Sequence, residues 1–326
     1  MHRRQVLVLH SSLVAGCGGQ DAATETPTAT DTPTETPTDT PTETPTDTPT
    51  ETPTDTQTAT PGGPEREGNA AIAEVEKTLD SVVATYGGPD SDNIMGVDAS
   101  TTDFRGGRIE NSLTEAEEEL ETARERAVTR EQERTVERLA VAIRFLDLAT
   151  RIQVALGNAF FALDRARVRI SREENGDARD SLVRMESERQ IAVPLLEQLR
   201  SETDAASVSV ISSIDTADYE AKVAQFDAEL AAMSRLNPRA DTLARAVGRL
   251  ASARAQAQNN AEGASETARR AATELEDAEA ALRAVLDGLS EPADSLEPIT
   301  QQLVDIAATK AAEAREIAGE TATPEN

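Results

Sequence analysis

Tryptophan is absent from this 326-residue chain, and phenylalanine and tyrosine together number seven. Ligands held by stacking, such as sugars and flat aromatic rings, lose their usual means of recognition. Cysteine occurs once, at Cys17, so no intrachain disulfide can form. The two histidines, His2 and His10, both fall in the first ten residues. Without them there is no Ser-His-Asp triad, no Cys-His pair, no zinc site of ordinary ligands and no Glu-x-x-His di-iron site. Neither GxxxxGK nor a GxGxxG after a strand is present. These absences lead to an expectation of no catalytic residue, no metal and no cofactor. Nor is there an apolar run long enough for a membrane-spanning helix, which takes about 20 residues. The best candidates are Val6 to Gly16 and Ile152 to Leu163, the second read as core.

Lysine is scarce too: Lys77, Lys222 and Lys310 are the only three among 32 basic residues, against 60 acids and a net charge of −28. Such a balance repels polyanions, which need a basic stripe to bind, so nucleic acid is excluded as a partner. It also loosens a folded state by self-repulsion at ordinary ionic strength. Near 1 M salt, where the screening length is roughly 3 Å, that penalty fades. Abundant acids, arginine in preference to lysine and few aromatics together resemble the proteins of salt-loving archaea.

What is present begins at the N-terminus. Met1-His2-Arg3-Arg4-Gln5 is a short positive segment, followed by the apolar run and then Leu13-Val14-Ala15-Gly16-Cys17. Charge, short apolar centre and small residues in that order make a secretory signal. The last five residues resemble a lipobox, in which the cysteine becomes the lipidated N-terminus. Arg3-Arg4 with Gln5-Val6-Leu7 is similar to a twin-arginine export signal. His2 stands where that signal carries Ser or Thr, so Sec export remains an alternative. From 32 to 55 run six tetrads of TPTE alternating with TPTD. A proline in each unit removes a backbone donor and bars helix and sheet alike. Mutual repulsion of the acids favours an extended chain, and at roughly 3.1 Å per residue the 17–64 segment reaches about 150 Å. Signal, lipobox and acidic Thr/Pro tract together resemble the secreted lipoproteins of haloarchaea. That resemblance implies residues 1–16 as a removed signal, 17–64 as a lipid-bearing, disordered stalk, and a cell-membrane location on the extracellular face.

From residue 65 to 326 the pattern is helical, and an all-α, long-helix bundle with coiled-coil character is expected. Ile72, Val75, Leu79, Val82 and Tyr86 form one stripe, stopped by Gly87-Gly88-Pro89. Thr114 to Glu117 reads as a capping box. Residues 130–172 hold no proline and two apolar stripes, which predicts a helix of about 43 residues at the centre of the fold. Asn175-Gly176-Asp177 reads as a C-terminal glycine followed by an N-cap. The next helix is disturbed at Pro194, and Ser207 to Ile211 is ambiguous between loop and strand. Tyr219, Val223, Phe226, Leu230 and Met233 mark a helix ended at Asn237-Pro238. From Leu243 to Leu289 heptads run on with only Arg254 breaking their apolar character. The unbroken register favours one helix over 239–288, although Asn259, Asn260 and Gly263 admit a turn.

Three features invite a chemical reading. Arg144, Asp147 and Arg151, at i, i+3 and i+7, share a helix face. They read either as an anion site with both guanidiniums as ligands, or as an internal ion triad. Asp90, Asp92 and Asp98 lie in an incomplete version of a calcium loop, with Thr101 where a glutamate belongs. The arginines of 235–254 are charge-complementary to the glutamates of 115–125, as antiparallel neighbours or as two solvated faces that never meet. The expected function is a lipid-anchored envelope scaffold or interaction module, which meets the membrane through Cys17 and a protein partner, or itself, through its helices. A solute- or ion-binding lipoprotein is the alternative, and a carboxylate-only enzyme a third.

Overall fold

A computed structural model describes residues 62–88 and 93–319; the signal, lipobox and stalk readings, with Arg3, Arg4 and Cys17, lie outside them, as do Asp90 and Asp92 of the calcium-loop reading. Among the described residues all regular structure is helical: α1 (Gly63–Gly87), α2 (Gly106–Arg126), α3 (Arg130–Ser171), α4 (Asn175–Glu202), α5 (Ala205–Val208), α6 (Thr216–Gln258), α7 (Ala264–Leu286) and α8 (Glu297–Ala318), with 3₁₀ turns at Ile94–Gly96 and Asp294–Leu296. The fold is all-α. No described helix is long and apolar enough to cross a membrane.

Neighbours in sequence are neighbours in space. α1 packs on α2, α3 on α4, α6 on α7 and α7 on α8, while the two longest helices, α3 and α6, meet each other and most of the rest. The long α3 predicted for 130–172 is there, with both stripes buried: Leu139, Ile143 and Leu146 on one, Phe145, Leu148, Ile152, Leu156 and Leu163 on the other. Its start is a capping box, Thr129 Oγ1 accepting from Gln132 N while Gln132 Oε1 accepts from Thr129 N, each at 3.2 Å. Gln132 Nε2 also reaches Glu65 O and Asn69 Oδ1, tying α1 to the cap.

Several local expectations give way. Thr114 lies inside α2, its hydroxyl donating to Glu110 O, so it caps nothing. Gly176 lies inside α4, and the left-handed residue of that turn is Glu173, at φ 67°. Ser207 to Ile211 forms the end of α5 and a turn, with no strand. Pro238 does not begin a helix; α6 runs through it, as α4 runs through Pro194. A proline inside a helix forfeits one hydrogen bond and crowds the preceding turn. Burial of Leu195, Leu196, Leu236 and Ala240 beside the two prolines offsets that cost.

The 239–288 segment is a hairpin. α6 ends at Asn259, Asn260 takes φ 50° and Gly263 φ 88°, and α7 returns antiparallel. Glycine and asparagine tolerate this left-handed region where other residues are strained. The heptad register crosses the turn because its alanines there, Ala257 and Ala261, are exposed. Nor do the 235–254 arginines meet the α2 glutamates, since α2 packs on α1 and α3. Arg245 pairs with Asp241 and Arg249 with Glu274. Arg254, the one break in the heptads, pairs with Glu173 at the α3–α4 turn and with Glu313 of α8. Lys310 bridges the same two glutamates at 2.5 and 3.1 Å. Burial pushes the Glu173 carboxyl up, but Lys310 and Arg254 outweigh it and hold the carboxyl below its usual range.

Candidate functional site

The segment between α1 and α2 has little helical structure of its own to satisfy its backbone, yet Val97 and Ala99 are 3% and 0% exposed. Buried backbone polar groups need partners, and α3 and α6 supply them from side chains. Val97 O accepts from Lys222 Nζ at 2.6 Å and Gln225 Nε2 at 3.2 Å. Asp98 O accepts from Gln153 Nε2 at 2.6 Å, and Ala99 N donates to Glu229 Oε1 at 3.0 Å. Those last two groups belong to one peptide unit, whose C=O and N–H point in opposite directions. α3 and α6 therefore grip it from either side. Ser295, at the approach to α8, donates to the same Glu229 oxygen at 3.1 Å.

Lys222 and Glu229 are both fully buried. Lys222 Nζ also lies 4.9 Å from the Phe226 ring centre and 5.3 Å from that of Tyr86, within the range of cation–π attraction. Desolvation penalises each charge. It lowers the lysine to about 7, against the pull of Glu229 and Asp98, and raises the glutamate to about 7, against the Ala99 N–H and Lys222. Glu229 Oε2 and Gln153 Oε1 have no hydrogen-bond partner among the described residues. Chemically the pair can hold or pass a proton, but its hydrogen bonds are spent on the backbone it clamps.

In front of the clamp lies a cleft of about 470 Å³, lined by Tyr86, Val97, Thr101, Phe104, Arg105 and Arg108 among others. Tyr86 and Phe104 meet edge to face, 5.0 Å between centres. Tyr86 and Val97 form the partition between cleft and Lys222. Arg105 and Arg108 stand exposed at the start of α2, with no ion pair to any described residue.

The Arg144–Asp147–Arg151 group is brought together, at the surface. Arg144 donates to Asp147 at 3.0 Å and to Glu202 at 2.6 Å, and Arg151 lies 3.7 Å from Asp147. Both guanidiniums face carboxylates, and the group is an ion network joining α3 to the end of α4. Asp98 accepts from Ser100 N and from the Ser100 and Thr101 hydroxyls, closing its own turn. Among the described residues no three His, Cys, Asp or Glu side chains converge as for a metal ion.

Sequence reasoning missed Gln153, Lys222, Gln225 and Glu229. A signal existed: Tyr219, Lys222, Phe226, Glu229 and Met233 keep the 3,4 step of a core stripe, with charges at two of its five positions. The neighbouring positions Val223 and Leu230 made an equally regular stripe, and hid it.

Exposed large apolar side chains are concentrated elsewhere. Of the five among the described residues, four sit on the α3–α4 hairpin: Val154, Phe161, Val183 and Ile191, the other being Val128. Comparison with family models, curated proteins and solved structures finds no match for this chain.

Proposed function

We propose that this protein is a lipoprotein of the cell envelope, anchored through a diacylglycerol-type lipid on Cys17 and held off the extracellular face by its Thr/Pro stalk. Its helical domain acts by contact, as a scaffold or interaction module, and has no catalytic role. The address rests on the order of Arg3-Arg4, the apolar run, Leu13 to Cys17 and the acidic tract. The observation that carries the mode of action is the gathering of Val154, Phe161, Val183 and Ile191 on one hairpin, since large exposed apolar patches mark interaction sites.

Intact-mass analysis of the membrane-extracted protein tests the anchor. The expected result is a chain beginning at Cys17 with added lipid mass, and release of the Cys17→Ser variant into the medium. A Cys17→Ser variant that stays in the membrane fraction would overturn it. Carboxylate-directed cross-linking on cells in native salt tests the contact reading, since lysines are too few for amine reagents. Recurrent links that depend on Cys17 are expected; their absence would count against it. A solute-binding role is the second reading, favoured by the Arg105–Arg108 cleft. A rise in melting temperature with a small carboxylate or phosphate would support it.

A further inference from the structure

Lys222 and Glu229 are the two fully buried charged side chains among the described residues, and they make no direct ion pair. The Gln225 amide stands between them, its Oε1 accepting from Lys222 Nζ at 3.1 Å and its Nε2 donating to Glu229 Oε1 at 3.3 Å. The groups around each side chain say which protons are present. Lys222 Nζ meets two oxygens, Val97 O and Gln225 Oε1, and the rings of Tyr86 and Phe226. All of these attract an ammonium, and none donates to the lone pair that a neutral amine would carry. Around Glu229 the donors are lopsided. Ala99 N, Ser295 Oγ and Gln225 Nε2 all donate to Oε1, at 3.0, 3.1 and 3.3 Å. Oε2 is buried and accepts from no described residue. An ionised carboxylate spreads its charge over both oxygens, so an unpaired one in the core carries a heavy desolvation cost. A neutral acid has one acceptor oxygen and one hydroxyl, which is the pattern seen. The hydroxyl needs an acceptor in turn, and Gln153 Oε1, the other buried orphan of this cluster, lacks a donor. A proton on Oε2 supplies one, directly or through one water.

We propose that Glu229 is a proton-binding site that latches the 97–99 segment: a proton on Oε2 keeps the segment shut, and its release to solvent loosens it. The charged and titratable groups facing the site come from three elements. Lys222 of α6 favours loss of the proton, whereas Asp98, on the segment itself, opposes it. Tyr86 of α1 stays a neutral phenol, its ionisation pushed up by burial and by Glu229. α3 and the approach to α8 present Gln153 and Ser295, which do not titrate. Burial is the largest influence and raises the carboxyl from 4.5 to about 7. The proton is therefore held in mild acid and lost as pH rises through 7. On losing it, Oε2 becomes a bare buried charge. Two movements relieve that charge: water entering behind the segment, or Lys222 turning from Val97 O towards Oε2. Either one frees backbone that the clamp had held. Val97 and Tyr86 also wall the cleft of about 470 Å³, so the cleft opens with the segment.

Infrared difference spectroscopy of the full chain carrying Cys17→Ser, in molar salt, reads the proton directly when Glu229 is compared with Glu229→Gln. A protonated-carboxyl C=O band is expected with Glu229 at pH 6, lost by pH 9, and absent from the variant. Amide exchange followed by NMR reads the latch. Between pH 6 and 9 the Ala99 N–H is expected to exchange faster by about tenfold or more, beyond the base-catalysed rise measured in Glu229→Gln. The folding equilibrium constant, taken relative to Glu229→Gln, should fall by up to about tenfold per pH unit from 5 to 7, as one bound proton requires. No carboxyl band in the pH 6 difference would overturn the inference. So would Ala99 exchange that matches the variant at every pH, which would leave a buried acid without a latch. Failure of Glu229→Gln to fold at pH 6 would overturn it as well, because the amide keeps the acid's shape, its acceptor oxygen and a donor in place of the hydroxyl.

Discussion

Replacing Lys222 with methionine removes a buried cation whose loss is felt at three places. Val97 O keeps only the longer bond from Gln225, at 3.2 Å instead of 2.6 Å. Glu229 remains fully buried without its countercharge, and the Tyr86 and Phe226 rings lose the ammonium between them. Removing one member of a buried pair costs about 3 kcal/mol, a large part of the stability of a single domain. The sign of the pH dependence follows from both groups. Glu229, raised from 4.5 to about 7, contributes stability that is present below pH 4.5 and lost as pH rises to 7. Lys222, lowered from 10.5 to about 7, contributes stability that is present above pH 10.5 and lost as pH falls to 7. The pair therefore stabilises least near neutrality. In Lys222→Met the glutamate still titrates but the alkaline recovery is gone. The penalty is then nearly flat from pH 5 to 7 and grows above 7 by roughly 1–2 kcal/mol per pH unit. Adding Glu229→Gln, whose amide oxygen can still accept from Ala99 N, is expected to recover at least half the loss. Urea denaturation in molar salt at pH 5, 7, 8 and 9 supplies the test. A penalty below about 1 kcal/mol at pH 8, no growth between 7 and 9, or a double variant worse than the single would refute the reasoning.

Gly87→Ala would place a Cβ 2.3 Å from Asn93 O, a backbone atom; a loss of about 2 kcal/mol is expected in a thermal melt. Thr129→Ala removes the α3 cap and is expected to cost about 1 kcal/mol. Gln132→Ala should cost more in the same denaturation series, because it also unties α1. Arg144→Ala, at a side chain 36% exposed, should cost less than about 1 kcal/mol in urea denaturation. Gly263→Ala, at φ 88°, should cost about 1 kcal/mol and lower the melting temperature without loss of helical circular dichroism.

The all-α class was legible in the sequence, because a helix that must bury a face repeats apolar residues every three or four positions whatever it packs against. The stripes of α1 and of α3 are seen so directly that Val75, Leu79, Leu139 and Leu146 could be named as core from spacing alone. Heptad spacing is blind to what happens where alanine fills it. Alanine buries too little to show whether a position faces the core or water, so the register ran through a turn that the backbone angles of Asn260 and Gly263 create. Caps and prolines misled for a related reason: Thr114, Gly176 and Pro238 carry local preferences of about 1–3 kcal/mol, which burial along a long helix overrides. The sequence by itself determined the helices that carry periodic apolar faces, the charge, and the lack of histidine and cysteine in residues 65–326. Only the tertiary structure decided where the polar core residues go. Lys222, Gln225, Glu229 and Gln153 are buried because one non-helical segment, 97–99, passes between α3 and α6, and its backbone must be paired there. That need arises from a contact between distant parts of the chain, 125 residues apart for Lys222 and Val97, and no local pattern records it.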